Sequence, residues 1–308
     1  MQTFAADDPK YVYSPWHEPV GTVQPGERFT VDTQDCFTGV YRDPANFNPE
    51  TAAWVEENLN GVTGPISVAG AKPGDAIEIH IESVTVTSPG SLIVSRCQAL
   101  SPADWWHEEY RGVSLPVADG RIWLRDDWTV PARPLIGCLA TAPGREAILS
   151  RREGPYGGNM DCAEITSGAT VVLPVETPGA FLYFGDCKAA MGNGEITAAP
   201  EVATRIVASA TPVPRPAVMQ APRVRTSTQL TTVVSGINLA DACRTAFREL
   251  KEWLSDEYAL TSDEAAVLMG IAAHCGVCQV SNALHTAQCS ISLSVLPPRS
   301  GEGSGAGR

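Results

Sequence analysis

The sequence predicts an α+β protein that is mainly β, with a sandwich-like or barrel-like core of strands and helices packed outside it. Its 308 residues include 24 prolines and 27 glycines that separate short apolar runs, as is typical of strand-rich folds. The two predicted helices both lie in the C-terminal third, so helices do not alternate with strands as in a doubly wound fold. Residues 1–296 are expected to form one unit, which is β-rich over 1–235, helical over 236–275 and closed by a strand up to 296.

Alternation of apolar and polar residues predicts the strands of the first two thirds. The clearest run is A-I-E-I-H-I-E-S-V-T-V (76–86), which puts His80 on the polar side of its strand. Further strands are predicted at 27–35, as two short segments within 135–149, at 169–175 with a proline that suits a sheet edge, and at 224–234. Residues 154–162 are too rich in glycine for a helix or a regular strand.

Two helices are predicted where the pattern changes. Asn238 can cap a helix over 239–257, in which apolar residues recur every three or four positions. The sequence T-S-D-E (261–264) is a capping box that opens a second helix over 262–273. The alternating run C-S-I-S-L-S-V-L (289–296) predicts the closing strand, and residues 297–308 are expected to be a disordered tail.

The acidic composition excludes several classes of partner. A net charge of −13 and a pI of about 4.8 argue against nucleic acid, because phosphate binding needs clustered Lys and Arg. The same acidity disfavours anionic membrane surfaces, and no apolar run is long enough to cross a membrane. The N-terminus lacks the basic and apolar regions of a secretory signal, and the nine cysteines are irregularly spaced. We therefore expect a cytoplasmic protein without membrane or nucleic-acid partners.

The segment F-G-D-C-K-A-A-M-G-N-G-E-I (184–196) combines charged groups with three glycines. An apolar run ends at Gly185, and Asp186, Lys188, Asn193 and Glu195 follow within ten residues. The glycines allow tight turns and a close approach to a ligand. Polar groups released at the end of a buried strand are typical of active sites, although a structural turn in which Asp186 caps backbone amides has the same composition.

Two further turns carry an acid beside a thiol. Asp161-Cys162 follows a pair of glycines, and Asp35-Cys36 ends the first predicted strand. If the three acid-bearing turns converge on one cleft, their carboxylates need a cation or protons, because like charges a few ångströms apart cannot all ionise. The sequence therefore indicates a divalent metal, a lysine or acid/base catalysis.

A second candidate for chemistry is C-G-V-C (275–278). His274 and His285 flank it, so the two thiols and the two imidazoles could form a zinc site. The spacing matches no standard zinc pattern, and residues that alternate along a strand would give the same sequence.

An aromatic segment is the strongest candidate for a pocket wall. Trp105, Trp106, Trp123 and Trp128 lie within a short stretch that is too aromatic for a solvated loop, so it packs as a flap or lines a pocket. Tyr156, Met160 and Met191 are further candidates for pocket walls, and core packing explains each of them equally well.

Four stretches of the chain follow one another in a recognisable order. They are H-E-P-V-G-T-V-Q-P-G-E-R-F-T-V-D-T-Q-D-C (17–36), T-G-P-I-S-V-A-G-A-K-P-G-D-A-I-E-I-H-I (63–81), the block from G-G-N-M-D-C to G-D-C-K-A-A-M-G-N-G-E-I (157–196), and the two-helix segment near 238–273. In these residues the chain resembles the acetamidase/formamidase family of amide hydrolases, and the match covers most of its length.

The resemblance implies a β-rich core with helices outside, a homo-oligomer, and hydrolysis of small amides to ammonia and a carboxylate. It also implies a metal ion in the cleft, since family members are often found with one. The family form of the third block is close to G-D-x-H-A-x-x-G-D-G-E, and here Lys188 replaces the histidine and Asn193 the second aspartate. A lysine is normally protonated and rarely ligates a metal, so the two changes remove a ligand and a negative charge.

Two mechanisms are consistent with these residues. In the first, one divalent metal, Zn or Ca, binds through Asp35, Asp161 and Asp186 and activates water, with Glu195 or Glu201 as base. In the second, which we favour, Lys188 takes the place of the cation, a carboxylate acts as base, and Cys162 or Cys187 attacks the carbonyl. The predicted substrate-binding residues are Asp35, Gly158, Cys162, Cys187 and Asn193.

A hypothesis of another class is a non-catalytic paralogue that binds a small amide without turnover. The altered site residues suit loss of function, and they also suit a new substrate. Because the aromatic segment is longer than a formamide pocket needs, we expect a larger, partly apolar amide or lactam.

Overall fold

The computed structural model describes residues 1–95, 110–196 and 199–299, and strands outnumber helices among them. The strands are β1 (Gln2–Phe4), β2 (Val12–Tyr13), β3 (Gly21–Val23), β4 (Arg28–Thr33), β5 (Val62–Val68), β6 (Asp75–Val86), β7 (Gly90–Ser95), β8 (Tyr110–Leu115), β9 (Val117–Ala118), β10 (Arg121–Arg125), β11 (Trp128–Pro131), β12 (Leu135–Ala140), β13 (Ile148–Leu149), β14 (Glu153–Gly154), β15 (Gly157–Asn159), β16 (Thr170–Pro174), β17 (Leu182–Lys188), β18 (Glu201–Val202), β19 (Thr204–Pro214), β20 (Arg223–Arg225), β21 (Gln229–Gly236), β22 (His274–Gln279) and β23 (His285–Ser292). The helices are α1 (Pro49–Glu57), α2 (Leu239–Tyr258) and α3 (Ser262–Ala272), with short 3-10 helices at Val40–Arg42, Pro44–Asn46 and Leu293–Val295.

Two nine-stranded sheets form the body of the protein. The first runs in the order β1-β4-β19-β6-β16-β20-β21-β23-β22, so strands from both ends of the chain belong to one sheet. The second contains β14-β15-β12-β17-β18-β7-β8, and β5, paired with β3, joins it beside β17. Most of the paired strands are antiparallel. Because both sheets are open along the described chain, the core is a sandwich and not a closed barrel.

The core lies between the inner faces of the two sheets. Alternation along β6 buries Ile77, Ile79 and Ile81 and leaves the intervening residues, His80 among them, exposed. These isoleucines belong to the same apolar cluster as Ile136 of β12 and Phe184 of β17. The prediction of a mainly β α+β fold is therefore confirmed, and its sandwich alternative is the correct one.

The C-terminal helices cover the outer part of the first sheet, as predicted. The Asn238 side chain caps α2 by accepting from Asp241 N, and Thr261 and Glu264 form the capping box of α3. The buried stripe of α2, which includes Leu250 and Leu254, packs against residues of β21 and β23. No helix of the described residues is long and apolar enough to cross a membrane.

Several local predictions need correction. The strand at 169–175 is internal, between β6 and β20, and its proline is tolerated because Pro174 is its last residue. The segment 224–234 is a hairpin of β20 and β21, and part of the glycine-rich 154–162 segment forms β15. The closing strand begins earlier, at His285, and ends in a 3-10 turn.

The C-G-V-C segment forms an edge strand and gathers no zinc site. Cys275 of β22 is exposed, whereas Cys278 is fully buried. Over the described part of the chain, one group of three His, Cys, Asp or Glu side chains is close enough together to hold a metal ion, and it lies elsewhere.

Candidate active site

A cavity of about 490 Å³ opens beside the end of β17. Its floor is polar and its wall is partly apolar, and the residues that line it come from three distant parts of the chain. They are Cys36, Phe37, Ala52, Val55, Glu56, Leu59, Asn60 and Ile93, then Arg151, Arg152, Asn159, Asp161, Asp186, Lys188, Glu195 and Glu201, and finally Ser281, Asn282 and Ala283.

Lys188, the last residue of β17, lies at the floor of this cavity and is 1% exposed. Its Nζ lies 2.8 Å from Asp161 Oδ1 and 3.0 Å from Asp186 Oδ2. Two glutamates complete the ring, with Glu201 Oε1 at 3.3 Å and Glu195 Oε1 at 3.7 Å from the same nitrogen. One ammonium therefore faces four carboxyl groups, which we call the acid ring (Asp161, Asp186, Glu195 and Glu201).

The pairing of β12 with β17 brings the acid ring together. Gly137 lies between the register pairs Ile136–Cys187 and Cys138–Gly185, and its carbonyl accepts from the amide of Asp161 at 3.3 Å. A Cβ atom at position 137 would lie 2.5 Å from Asp161 Oδ1 and 2.6 Å from Asp186 Oδ2. The two carboxyls can converge because the residue between them has no side chain.

Three members of the acid ring have backbones in the left-handed region, which non-glycine residues rarely adopt. The φ angles are 45° at Asp161, 51° at Asp186 and 39° at Glu195. Such conformations cost on the order of 1–3 kcal/mol each and are concentrated at functional sites. The surrounding structure must therefore hold these side chains in place against local preference.

Burial and crowding shift the proton equilibria of the ring. Burial raises the pKa of Asp161 well above its ordinary range, and the negative charge of Glu195 adds to this effect. Burial likewise raises the pKa of Glu201, against the opposing effect of the Lys188 ammonium. For Lys188, burial alone would lower the pKa, but the carboxyls, led by Asp161, raise it well above its ordinary value. The ring therefore holds a protonated lysine and retains protons on part of its carboxyls.

Three asparagines surround the acids. With the Asn159 amide oriented so that its nitrogen faces the carboxyls, Nδ2 donates to Asp186 Oδ2 at 2.6 Å and to Asp161 Oδ2 at 3.2 Å. Its oxygen then accepts from Asn60 Nδ2 and Asn282 Nδ2, each at 3.1 Å. Asn282 belongs to the loop between β22 and β23, as does Ser281, whose hydroxyl donates to Glu195 Oε2 at 2.6 Å. The network adds to the Lys188 contacts in orienting the carboxyls: Asn159 and Lys188 share Asp186 Oδ2 and take different oxygens of Asp161.

Of the residues predicted for the site, the structure brings Asp161, Asp186, Lys188, Glu195 and Glu201 together. Asp35 is not one of them. Its carboxylate accepts from Arg42 Nε at 2.7 Å and from the amides of Phe37 and Gly39, so it cannot join Asp161 and Asp186 as a metal ligand. The next residue, Cys36, faces the cavity in its place.

Four predicted substrate-binding residues lie off the cavity. Gly158 pairs with Leu139 inside the second sheet, and Asn193 is exposed on a turn. The Cys162 thiol donates to Gln288 Oε1, and Cys187 packs against Thr33, where burial raises its pKa to about 12. Alternation along β17 explains the last case, because Cys187 and Lys188 point to opposite faces.

The pocket wall also differs from the prediction. Trp123 and Trp128 are exposed in the small sheet β9–β11, and Trp105 and Trp106 lie outside the described residues. Met160 is in the core, Tyr156 packs against Tyr13, and Met191 lies off the cavity. The apolar wall comes instead from α1 and its flanks, through Phe37, Val55, Leu59 and Ile93.

Sequence reasoning missed Cys36, Asn60, Gly137, Asn159, Ser281 and Asn282. A signal existed for the wall, since Ala52, Val55 and Leu59 recur at helical spacing. Asn159 stands inside the 157–196 block, two residues before Asp161. The loop residues 281–283 carry no comparable pattern.

The residues present do not fit a divalent metal beside the ammonium. Cys36, Asp186 and Glu201 could supply three ligand atoms, which lie within 4.8 Å of one another. However, Lys188 Nζ already lies 3.0 Å from Asp186 and 3.3 Å from Glu201. A cation bound to these carboxyls would face a positive charge at close range, so it would have to displace the ammonium.

Comparisons with known proteins agree with the geometry. The model of the Acetamidase/Formamidase family matches residues 2–113 and 136–211, more than half of the chain. The formamidase of Methylophilus methylotrophus is 24% identical in an alignment of 245 residues, and the match covers 60% of this chain and 60% of that protein. The chain thus aligns with less than two thirds of that relative's length.

Solved structures share the whole fold. A predicted acetamidase/formamidase from Thermoanaerobacter tengcongensis superposes with a TM-score of 0.88 at 27% identity, covering 96% of both chains. An acetamidase from Bacillus halodurans gives a TM-score of 0.87 at 27% identity, covering 95% of this chain and 97% of that one. Sequence and structure together therefore show that this chain belongs to the acetamidase/formamidase family.

Proposed function

We propose that this protein hydrolyses the C–N bond of a small amide, giving ammonia or an amine and a carboxylate. The observation that carries the proposal is the buried Lys188 ammonium ringed by four carboxyls at the floor of a cavity of about 490 Å³. Amide hydrolysis needs a positive group for the developing oxyanion and groups that move protons, and this floor offers both. The names of the formamidase and acetamidase relatives support the same reaction.

Each member of the acid ring has a proposed role. The Lys188 ammonium stabilises the oxyanion formed from the amide carbonyl. Asp161 and Glu195 hold Lys188 in position, and Asp186 and Glu201 transfer protons to and from the reacting groups. Because the site is buried, these charges act with little screening by water.

We further propose that the reaction proceeds without a metal, for the reason that Lys188 occupies the cation position. Elemental analysis of the purified protein tests this point. A stoichiometric metal whose removal abolishes turnover would contradict it.

The substrate is proposed to be larger than formamide. A cavity of this volume is in the range that accommodates drug-sized ligands, and one side of it is apolar. A substrate with one apolar substituent, linear or closed into a lactam, would bury that substituent against Val55, Leu59 and Phe37. The direct test is a panel of amides, lactams and carbamates with detection of the released ammonia or amine.

The panel has distinct outcomes. We expect bulkier, partly apolar amides to be turned over faster than formamide, and a strong preference for formamide would contradict the size argument. Absence of turnover for every compound, together with tight binding of one of them, would replace the enzyme by the non-catalytic binding protein.

Three broader points stay predictions. Residues 1–296 are proposed to act as one catalytic unit, because the loop 280–284 contributes to the same cavity as Asn60. The homo-oligomer can be tested by light scattering, and the cytoplasmic location by fractionation of the producing cells.

A further inference from the structure

The acid ring has thiols on several sides, but they differ in access to the cavity. Cys187 and Cys162 are buried in the core, and Cys138 is fully buried behind Asp186, with its Sγ 3.8 Å from Asp186 Oδ2. Of the thiols in the described residues, Cys36 is the one that lines the cavity, and it is 5% exposed. A substrate in the cavity can therefore contact the sulfur of Cys36.

The Cys36 backbone is fixed on both sides. Asp35 Oδ1 accepts from the amides of Phe37 at 3.1 Å and Gly39 at 2.8 Å, which closes the turn that follows Cys36. The carbonyl of Cys36 accepts from Asn60 N at 3.0 Å. A side chain on so well-anchored a turn is presented to the cavity in one position, as a preorganised nucleophile requires.

Two carboxyl groups lie within reach of this thiol. Ligand atoms of Cys36, Asp186 and Glu201 all lie within 4.8 Å of one another. Glu201 Oε2 is buried and has no hydrogen-bond partner among the described residues. Burial leaves the resting thiol protonated, since it raises the pKa of Cys36 well above its ordinary value, so attack needs an adjacent base.

We propose that Cys36 is the nucleophile of this site and that it forms a thioester with the acyl part of the substrate. The inference rests on the proposed amide hydrolysis and names its covalent step. A thiol, two nearby carboxyls of which Glu201 is the one that burial keeps protonated, and an ammonium are groups that such a step uses.

The proposed step balances as follows. Asp186, as carboxylate, takes the thiol proton while Sγ attacks the carbonyl carbon, and Lys188 stabilises the oxyanion. Glu201, as carboxylic acid, gives its proton to the nitrogen, the C–N bond breaks, and ammonia or an amine leaves. Glu201, now a carboxylate, then takes a proton from water as the water attacks the thioester. Asp186 returns its proton to the departing sulfur, and the net reaction is amide plus water to carboxylic acid plus amine.

The experiment uses the full-length protein with two acyl donors, the best amide of the substrate panel and p-nitrophenyl acetate. Rapid acid quench followed by intact-mass measurement and peptide mapping locates any acyl group. We expect it on Cys36, and we expect added hydroxylamine to divert it to a hydroxamate. Cys36→Ala should lower amide turnover by at least about 1,000-fold, as removal of other catalytic nucleophiles does, and should abolish labelling.

The controls keep the result interpretable. Cys243→Ser alters a half-buried thiol of α2 that does not line the cavity, so turnover and labelling should be unchanged. Cys36→Ser keeps a small side chain with one hydrogen-bond donor but replaces the thiol by a hydroxyl, and circular dichroism shows whether each variant is folded. If neither Cys36 variant folds, the mapped position of the acyl group on the wild-type protein decides.

The outcomes separate this inference from the proposed function. Amide turnover by Cys36→Ala within about tenfold of wild type, or an acyl group on another residue, overturns Cys36 as nucleophile and leaves amide hydrolysis standing. Acylation of Cys36 by the ester without turnover of any amide retains the nucleophile and overturns the amide substrate. If neither acylation of Cys36 nor turnover of any amide is observed, the proposed nucleophile and the proposed amide hydrolysis are both overturned.

Discussion

Two regions of this protein set carboxyl groups against a cation, and they do so in opposite proportions. Outside the cavity lining, one carboxylate, Asp35, is matched by one guanidinium, Arg42, and by two backbone amides. At the cavity floor, one ammonium faces four carboxyls. The Arg42 side chain is 34% exposed, whereas that of Lys188 is 2% exposed.

The difference separates a structural pair from a reactive group. In the Asp35 pair, one carboxylate is matched by one guanidinium and two amide donors, so its charges balance. In the acid ring, one ammonium cannot balance four ionised carboxyls. Some of the carboxyls must therefore keep their protons. We conclude that the excess of carboxyls over cations distinguishes the acid ring, as a candidate catalytic group, from the structural pair of Asp35 and Arg42.

The largest expected effect is that of Lys188→Met. Removing the ammonium leaves four buried carboxyls without their cation, which should cost about 3–5 kcal/mol of unfolding free energy at neutral pH. The deficit should shrink as pH falls, because the carboxyls then bind protons. Urea denaturation at several pH values measures it.

A surface lysine provides the control. Lys251 pairs with Glu252 in a partly solvated setting, where the two side chains are 30% and 35% exposed, so Lys251→Met should change the unfolding free energy by less than about 1 kcal/mol. If Lys188→Met and Lys251→Met have equal effects, the contrast between the cation of the acid ring and a balanced ion pair is wrong.

The second prediction concerns the glycine that lets the acids converge. Gly137→Ala would set a Cβ 2.5 Å from both Asp161 Oδ1 and the carbonyl of Asp186, and one of these groups would have to move. We expect destabilisation of about 2–3 kcal/mol and a large loss of turnover, because the ring is spread apart.

Gly270 is the matched control for that substitution. It lies within α3, and a Cβ at this position would meet no atom of the described residues within 4 Å, the backbone of its own helix aside. Gly270→Ala should therefore stabilise the helix by about 0.5–1 kcal/mol. Similar losses for both variants would show that the effect at Gly137 is not one of crowding.

The convergence of Asp161, Asp186 and Lys188 was predictable, and the exact ring was not. All three lie at glycine-rich turns or strand ends, where polar side chains in a sequence often indicate a functional site. The sequence could not predict whether Asp35 or Cys36 faces the cavity. The answer depends on the residue at which β4 ends and its turn begins, because a shift of one residue reverses the direction of a side chain. The one-residue difference moved the predicted ligand away from the cavity and moved a thiol toward it.

The contribution of the last hairpin could not be predicted for a different reason. Ser281 and Asn282 are separated from Lys188 by more than ninety positions and carry no motif. Their place is fixed by the Gln279 side chain, whose oxygen accepts from Asn282 N at 2.9 Å and whose nitrogen donates to Leu284 O at 2.8 Å. Only the folded pairing of β22 with β23 brings them to the acid ring.

A third acid, Glu153, lies between the two extremes of the comparison. It is buried, accepts from Leu284 N at 3.1 Å, and has no ion pair among the described residues. Burial raises its pKa to about 7 from an ordinary value of 4.5. The folded state therefore keeps a proton that the unfolded state releases, and stability falls as pH rises from about 4.5 to about 7.

The test of that sign is Glu153→Gln. The amide cannot ionise, so the variant should gain about 2 kcal/mol over wild type above pH 8 and nothing below pH ~4. Thermal unfolding across this range measures the gain. An advantage that is constant with pH would contradict an uncompensated carboxyl at position 153.

The smallest expected effect on stability is that of Arg42→Met, which removes the guanidinium beside Asp35. The guanidinium is partly solvated, whereas the Asp35 carboxylate is buried and would keep the amides of Phe37 and Gly39 as donors, so the loss should be about 1.5 kcal/mol. High salt should reproduce part of the loss in the wild-type protein, because the Arg42 guanidinium is open to dissolved ions, and should affect the buried Lys188 ammonium less. Comparison of the two variants over a salt series thus measures how far each cation is shielded from water. Equal salt dependence would mean that the acid ring is as well solvated as the Asp35–Arg42 pair. Carboxyls in a solvated ring would ionise, which would contradict the retained protons.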